Sequence, residues 1–556
     1  MKESIDVSFW LWIVAAAPLA AILILLVGLR WKAATAAPVG YFIATIAALT
    51  LFQASPRIIA LQTVKGVWDA IFILYVIVPA LLLYQVSKEA GAFQALRRGI
   101  EAYTPNDLLH VLAFGWVFAS FLQGITGFGA PIAVTAPLLV AVGVVPVWAV
   151  IIPLIGHAWA NTFGTLAVAW NGLQLVTEMQ SPATTAIIAA VMLLLANLLA
   201  GLTIAWLFGK GRGIREGLPV VLIIAAVHGV GQLILAPLVP ELAGFLPATI
   251  AVGVVIMLGR SRWYRNPTGV ETSRVMQKGE LQQQRGEDRK KEREEGGSEQ
   301  KEISLPLALS PYLVLIALIV LVLLIPPVKD ALSAFQIGLS FPELETGRGV
   351  VTEAADAYSA FSPLTHPGTF LLLSAIFAFV AFRRAGTIDR GRMDEVLIRT
   401  IRTSIPSAVA LFALVPLAKV MEGSGQTLEL ALGIAGVATG TVYAFVAPLI
   451  GAVGSFMTSS NLSSNILFGP LQERTAAALG VAQAAILAGQ TAGAAVGNSI
   501  APSNVLLGIG SVGLTGKTGE VIRRTIIYML VGVLLAGAVS LLYVLFLSGG
   551  AGGPAQ

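Results

Sequence analysis

A chain of 556 residues that is 56% apolar and only 12% charged, with a mean hydropathy of +0.83, excludes a water-soluble globular protein, whose charged fraction is normally about 25%. The net charge of +5 does not point to nucleic acid, because membrane proteins collect Lys and Arg in cytoplasmic loops and no basic cluster here is interleaved with stacking aromatics. The absence of cysteine excludes disulfides, thiolate catalysis and thiolate metal sites.

Met1 to Ser8 has no net basic region and Phe9 to Leu29 is long enough to remain as a spanning helix, so no cleavable signal is expected. Apolar runs of spanning length follow at 9–29, 33–54, 66–86, 108–126, 131–170, 183–208, 217–237 and 241–258. They resume at 305–327, 364–382, 404–421, 428–453, 475–500 and 524–547. At about 20 residues per crossing this predicts an all-α polytopic membrane protein of roughly 12–14 helices. Residues 108–177 contain no Asp, Glu, Lys or Arg at all.

The charge that does exist is concentrated. Between Arg260 and Glu302 the chain carries 20 of its 65 charged residues, a composition that cannot bury enough surface to order itself. A solvated, disordered or loosely helical cytoplasmic linker is predicted there. It divides the chain into N-terminal scaffold helices (1–106), a first half (107–259), the linker (260–303), further scaffold helices (304–427), a second half (428–547) and a tail (548–556). Lys and Arg at 30–32, 88–98, 210–215, 383–402 and 517–524 mark cytoplasmic loops, and the acidic stretch from Lys329 to Asp356 belongs outside. Both termini then face outward.

Two stretches resemble one another. SFLQGITGFGAPIAVTAPLLVAVG from Ser120 and SFMTSSNLSSNILFG from Ser455 both open on Ser-Phe and pass through a small-polar cluster. Each continues into an apolar run, a Gly-Val turn and a helix with Gly-His or Gly-Gln. Ser120 and Ser455 are 335 apart, and His157 and Gln490, in the Gly-His and Gly-Gln helices, are 333 apart. A held offset points to duplication. The charge map starts the two copies from opposite sides, which predicts two inverted-topology repeats with broken helices or re-entrant segments at 120–165, 455–470 and 497–513.

A helix broken at membrane depth exposes N–H groups at one end and carbonyls at the other, and these can hold an organic anion without a buried arginine. The residues expected to line such a site are Gln123, Gly124, Thr126, Gly127, Gly129, His157 and Asn161 from the first half. From the second half they are Thr458, Ser459, Ser460, Asn461, Ser463, Asn465, Gln490, Asn498, Ser503 and Asn504. Small residues that simply let helices approach are the alternative for the glycines. Few ionisable groups lie at depth. His157 titrates near neutrality and is the candidate proton carrier, the alternative being a neutral histidine satisfied by a carbonyl. His228 reads as structural. Lys419 and Glu422 read as an interfacial ion pair, and Glu473 either pairs with Arg474 or leaves it to attract an anion. Asp69 is either near the surface or paired.

SFLQGITGFGAPIAVTAPLLVAVG, GRGIREGLPVV, GSFMTSSNLSSNILFG and GNSIAPSNV…SVGLTGKTGEVIRRT together resemble the L-lactate permease family, from about Phe114 to Tyr528. That resemblance implies a carrier of lactate, glycolate or a related small monocarboxylate in the cytoplasmic membrane, coupled to protons. Many members carry glutamate where this chain has Gln123 and aspartate where it has Asn461, so here those two positions cannot carry the proton. An amide keeps its hydrogen bonds and does not repel an anion.

Taken together, alternating access by a secondary carrier is expected, without a cofactor or metal. Import of an anion against a negative interior costs about 2.3 kcal/mol per 100 mV, so a coupled cation is expected. The proton follows from the resemblance, and sodium held by unwound carbonyls is the physical alternative. The expected partners are a small organic anion and lipid; oligomeric state has no signature in the sequence. The rival classes are a channel and a membrane-embedded enzyme. The latter lacks any HExxH, paired intramembrane aspartates or Ser/Lys set, and no Walker sequence is present.

Overall fold

The computed structural model describes residues 8–101, 104–270, 272–277, 303–389 and 391–547; the greater part of the charged linker, 278–302, and the tail lie outside the described residues. Helices α1 (Phe9–Leu23), α2 (Ala33–Thr50), α3 (Pro56–Glu89) and α4 (Ala92–Glu101) come first. The first half then runs through α5 (Asp107–Leu112), α6 (Ala119–Ile125), α7 (Ala130–Ala141), α8 (Pro146–Ala158), α9 (Gly164–Val176), α10 (Pro182–Leu235), α11 (Pro240–Ala243) and α12 (Phe245–Gly259). Beyond the linker are α13 (Leu305–Leu323), α14 (Pro326–Ser333), α15 (Pro367–Arg384), α16 (Arg392–Gly423) and α17 (Gln426–Ala435). The second half closes the chain with α18 (Gly440–Thr458), α19 (Asn461–Leu479), α20 (Gln483–Gly497), α21 (Pro502–Ser511) and α22 (Thr518–Leu542). Among the described residues eleven helical stretches are long and apolar enough to cross a membrane, twelve with the bent pair at 146–176. One of the eleven, α10, leaves helical geometry at Gly209 and Lys210, which divides its 54 residues into two crossings. The protein is a multi-pass membrane protein.

The loops gather at two ends of the molecule, termed outer and inner after the orientation expected from the loop charges. At one end Gly347 N–H donates to the Gln53 carbonyl (3.0 Å), Gln62 Nε2 to Thr352 Oγ1 (3.1 Å), and Ser8 N–H to the Glu429 carboxylate (3.0 Å). Arg474 pairs with Glu422 at 3.0 Å near this end, and Val544 packs against the same buried cluster as Leu479 and Val481. At the other end Glu89 receives Arg392 (2.6 Å) and Arg399 (3.2 Å). The outer loop brings an addition to the expected helical architecture. β1 (Ile337–Phe341) pairs antiparallel with β4 (Ala355–Phe361), and β2 (Leu344–Glu345) with β3 (Val351–Thr352).

The linker prediction needs correction over 260–270 and 272–277. This part lies along the inner end as a strap. Tyr264 is fully buried, donates to the Glu216 carbonyl (2.8 Å) and accepts from Val220 N–H (3.2 Å). Thr104 donates to the Tyr264 carbonyl (2.5 Å), and Glu216 receives Asn106, Thr268 and the Gly269 N–H. Farther on, Val145 N–H donates to Val275 (2.8 Å) and Gln277 N–H to Gly143 (2.8 Å). Tyr264 and Val275 are the apolar residues that the local charge count conceals.

That strap fixes the geometry of the first half. Asn106 and Val144, the two ends of the α5–α7 excursion, are both held at the inner end, so α5–α6 and α7 form a re-entrant hairpin that turns back at Thr126–Gly129. Residues 131–170, a single apolar run in the sequence, are the hairpin's return arm followed by α8 and α9, which bend by 52° across 162–163. The second half has the same two parts. Gly440 and Val481 touch at the outer end, so α18 and α19 form a hairpin turning at Ser459–Ser460, and α20 and α21 form an interrupted crossing.

Close helix crossings need specific glycines. A Cβ on Gly66 of α3 would collide with the Pro416 backbone of α16, whereas one on Gly253 would meet nothing within 4 Å. Gly66→Val is expected to destabilise the protein by about 1–3 kcal/mol, read as a lower unfolding midpoint in detergent, while Gly253→Val leaves the midpoint in place.

Candidate functional site

Each break is written in residues that tolerate irregular backbone. Gly127 (φ 50°), Phe128 (φ 49°) and Gly129 (φ 82°) turn the first hairpin through left-handed conformations, and Pro131 restarts a helix in α7. Ser459 (φ 57°) turns the second, and Ser460 caps α19 by accepting from Ser463 N–H at 3.3 Å. In α9 Thr165, Leu166 and Ala167 are left-handed (φ 51°, 51° and 62°). The glycines at the first turn are required by contact too. A Cβ on Gly127 would strike Thr165 Oγ1, one on Gly129 would strike Leu507, and one on Gly164 would sit 2.7 Å from the Gln123 carbonyl.

The breaks surround one partly open cavity with about 430 Å³ of empty space, counting its mouth. Its lining is Gln123, Phe128, Gly129, His157, Asn161 and Thr165 with Val168 and Ala169 from the first half, and Ser459, Ser460, Asn461, Leu462, Asn498 and Asn504 from the second. No lining residue is Asp, Glu, Lys or Arg, and His157 carries the one ionisable side chain among them. The first turns of α7 and α19 border it with Gly129 and Ser460, bringing the positive ends of two helix dipoles to the space.

A chain of amides joins the halves. Asn504 Nδ2 donates to Asn498 Oδ1 (2.9 Å), Asn498 Nδ2 to Asn161 Oδ1 (2.8 Å), and Asn161 Nδ2 to the Ala158 carbonyl (2.8 Å). Asn461 Nδ2 donates to Thr162 Oγ1 (3.2 Å), while Asn461 Oδ1 has no partner among the described residues. The His157 ring bonds through Nδ1 to the Pro153 carbonyl, which puts the ring proton on Nδ1 and leaves Nε2 a lone pair.

Nine of the seventeen residues expected at the site line this cavity. The other eight do not. Gly124 is packed against Phe245, where a Cβ would be 2.8 Å from its Cα, and Gly127 is filled by Thr165. Thr126 and Thr458 donate back to the carbonyls of Leu122 (3.1 Å) and Gly454 (2.8 Å). Ser463 takes the cap from Ser460, and Ser503 is exposed with its N–H on Ser459 Oγ (3.2 Å). Asn465 is held by the Ala169 carbonyl and Thr491, and Gln490 by Ser464 and Gln472. The residues that sequence reasoning missed are Phe128, Thr165, Val168, Ala169 and Leu462. Phe128 had a signal, its place inside the glycine triplet; the others look like ordinary helix interior.

The remaining charged groups sit away from the cavity, and two expected pairings need correction. Lys419 pairs with Asp69 (3.5 Å) and donates to the Leu175 carbonyl (2.7 Å), not with Glu422, which takes Arg474 (3.0 Å). Glu473 accepts from Glu178 N–H (2.9 Å) and Gln483 (3.1 Å). Asp69 also receives the Tyr358 hydroxyl (2.7 Å). His228 is buried against Trp159, with ring centroids 4.8 Å apart.

The sequence model described as L-lactate permease matches residues 12–547. The chain is similar to an L-lactate permease of Halalkalibacterium halodurans, at 26% identity over 93% of each chain. It is also similar to the glycolate permease GlcA of Escherichia coli, at 28% identity over 86% of this chain and 85% of that one. Among solved structures it is similar to MtrF of Neisseria gonorrhoeae, at 17% identity with 87% and 84% coverage and a TM-score of 0.46.

Replacing Asn498 by leucine leaves Asn161 Oδ1 and Asn504 Nδ2 without partners. Asn498→Leu is expected to cost about 1–3 kcal/mol and to lower the unfolding midpoint, whereas Ser503→Ala, whose contact is through the backbone, leaves it unchanged.

Proposed function

The chain belongs to the L-lactate permease family, and from that premise we propose that it carries L-lactate or a related small 2-hydroxy acid such as glycolate across the cell membrane by alternating access, in symport with a proton. The observation that carries this reading is the uncharged, donor-rich cavity enclosed by helix breaks from both halves of the chain. A carboxylate is stabilised there by amide donors and the N-terminal turns of α7 and α19, with no lysine or arginine whose release would slow its exit.

The direct bond between Asn161 and Asn498 supports an inverted duplication. Asn161 follows α8 in one half and Asn498 follows α20 in the other, so the interrupted crossings of the two halves meet at their breaks, as expected near an axis relating them. The two hairpins, entering from opposite ends, support the same relation. A carrier built on such an axis exposes its central site alternately to each side by moving one unit against the other.

Proton coupling is assigned to His157. With Nδ1 committed to Pro153, a neutral His157 accepts the substrate hydroxyl at Nε2; a protonated one donates to the carboxylate. Anion and proton then favour one another's binding. The two positions where other members carry carboxylates are Gln123 and Asn461 here, which leaves the histidine to take the proton.

Counterflow in proteoliposomes loaded with lactate tests the reading: labelled lactate or glycolate accumulates transiently through a saturable site, where a channel gives no trans-stimulation. An inward pH gradient should accelerate uptake and a sodium gradient should not. His157→Gln is expected to keep exchange and lose the response to pH. Gln123→Glu places a negative charge beside the anion and should raise KM about tenfold at neutral pH, equivalent to ~1.4 kcal/mol, with recovery at acid pH. An unchanged KM and pH profile would remove Gln123 from the binding site.

A further inference from the structure

Three non-glycine residues that line the cavity have left-handed backbone: Phe128 (φ 49°), Thr165 (φ 51°) and Ser459 (φ 57°). Thr165 and Ser459 each make a polar contact in that conformation. Thr165 Oγ1 reaches the Gln123 carbonyl at 3.5 Å, and Ser459 Oγ accepts from Ser503 N–H at 3.2 Å. Phe128 has no such compensation. A bulky residue at positive φ is a genuine outlier, and glycine would fit the turn with less strain. Glycines do occupy both neighbouring positions, and neither leaves room for a side chain, because Thr165 and Leu507 fill the space a Cβ would take. The turn of the first hairpin therefore has one side chain, that of Phe128, among the residues lining the cavity, partly buried against the apolar core and held against the preference of its own backbone.

We propose that Phe128 is a specificity-determining residue whose ring limits the size of the substituent on carbon 2 of the transported 2-hydroxy acid. The proposal rests on the substrate class argued above and deepens it. The lining has two chemistries: Phe128, Val168, Ala169 and Leu462 are apolar, while the second hairpin turn offers Ser459, Ser460 and Asn461. A 2-hydroxy acid has the same division, with a carboxylate and a hydroxyl on one side and a hydrogen or short alkyl group on the other. The polar groups take the first, and the ring of Phe128 abuts the second. A hydrogen or a methyl group fits, and a branched chain meets the ring.

The test compares lactate counterflow, competed by glycolate, 2-hydroxybutyrate and 2-hydroxy-3-methylbutyrate, for the unmodified protein, Phe128→Ala and Phe128→Gly. The alanine variant removes the ring and keeps a Cβ on the strained backbone; the glycine variant removes both and relieves the strain that alanine keeps. Both are expected to improve the branched acid relative to lactate by about tenfold or more, the scale on which hydrophobic pockets discriminate small alkyl groups. If both variants keep the original ratio, or the unmodified protein already takes the branched acid as readily as lactate, the ring sets no limit and the proposal is overturned. A shifted unfolding midpoint with an unmoved ratio assigns Phe128 a structural role alone and overturns it equally. Failure of the unmodified protein to exchange either lactate or glycolate refutes the substrate class itself, and it is seen before any variant is made.

Discussion

Lipid offers no hydrogen-bond partner, so a helix interrupted within the bilayer has to be answered by protein. Here each interruption is answered by another. The left-handed turn of α9 fits against Gly127 and Gln123 at the first hairpin turn, and Ser459 at the second receives the Ser503 N–H at the start of α21. The run from Asn504 through Asn498 to Asn161 closes the set. Amides suit this role because each both donates and accepts, and adds no charge that would have to be desolvated. What is left over, Asn461 Oδ1 and the lone pair of His157, can only accept, which suits the hydroxyl of a ligand and not its carboxylate.

Much of this was legible from residue order alone. The membrane class follows from 70 successive residues without an ionisable carboxylate, amine or guanidine, and the breaks follow from Gly127–Gly129 and from Thr458–Asn465, where lipid-facing helix would carry leucine. Within those clusters the division between lining and supporting residues was not legible. Asn461 and Asn465 lie one helical turn apart with identical chemistry, and only the approach of Ala169 and Thr491 decides that the deeper one is consumed by packing. Val168 and Ala169 are apolar residues in an apolar helix, and what brings them to the cavity is the bend before α9.

Charge was harder to read than polarity, because proximity along a helix is a poor guide once two helices cross. Lys419 and Glu422 are three apart, yet α3 offers Asp69 to the one and α19 offers Arg474 to the other. The same limit applies to the strap. A count over 260–302 averages Tyr264 and Val275 away, although each finds a specific seat on the inner face.

The neutrality of the cavity wall has an electrical consequence. A binding site built from lysine or arginine would carry its own charge through the membrane field each time the unloaded protein reset. A wall of amides, hydroxyls and a neutral imidazole carries none, so in a carrier of the kind proposed the resting voltage does no work on the empty return stroke. Polarisation of the cell then acts on the cargo alone, opposing the bare anion and ignoring the anion that travels with its proton.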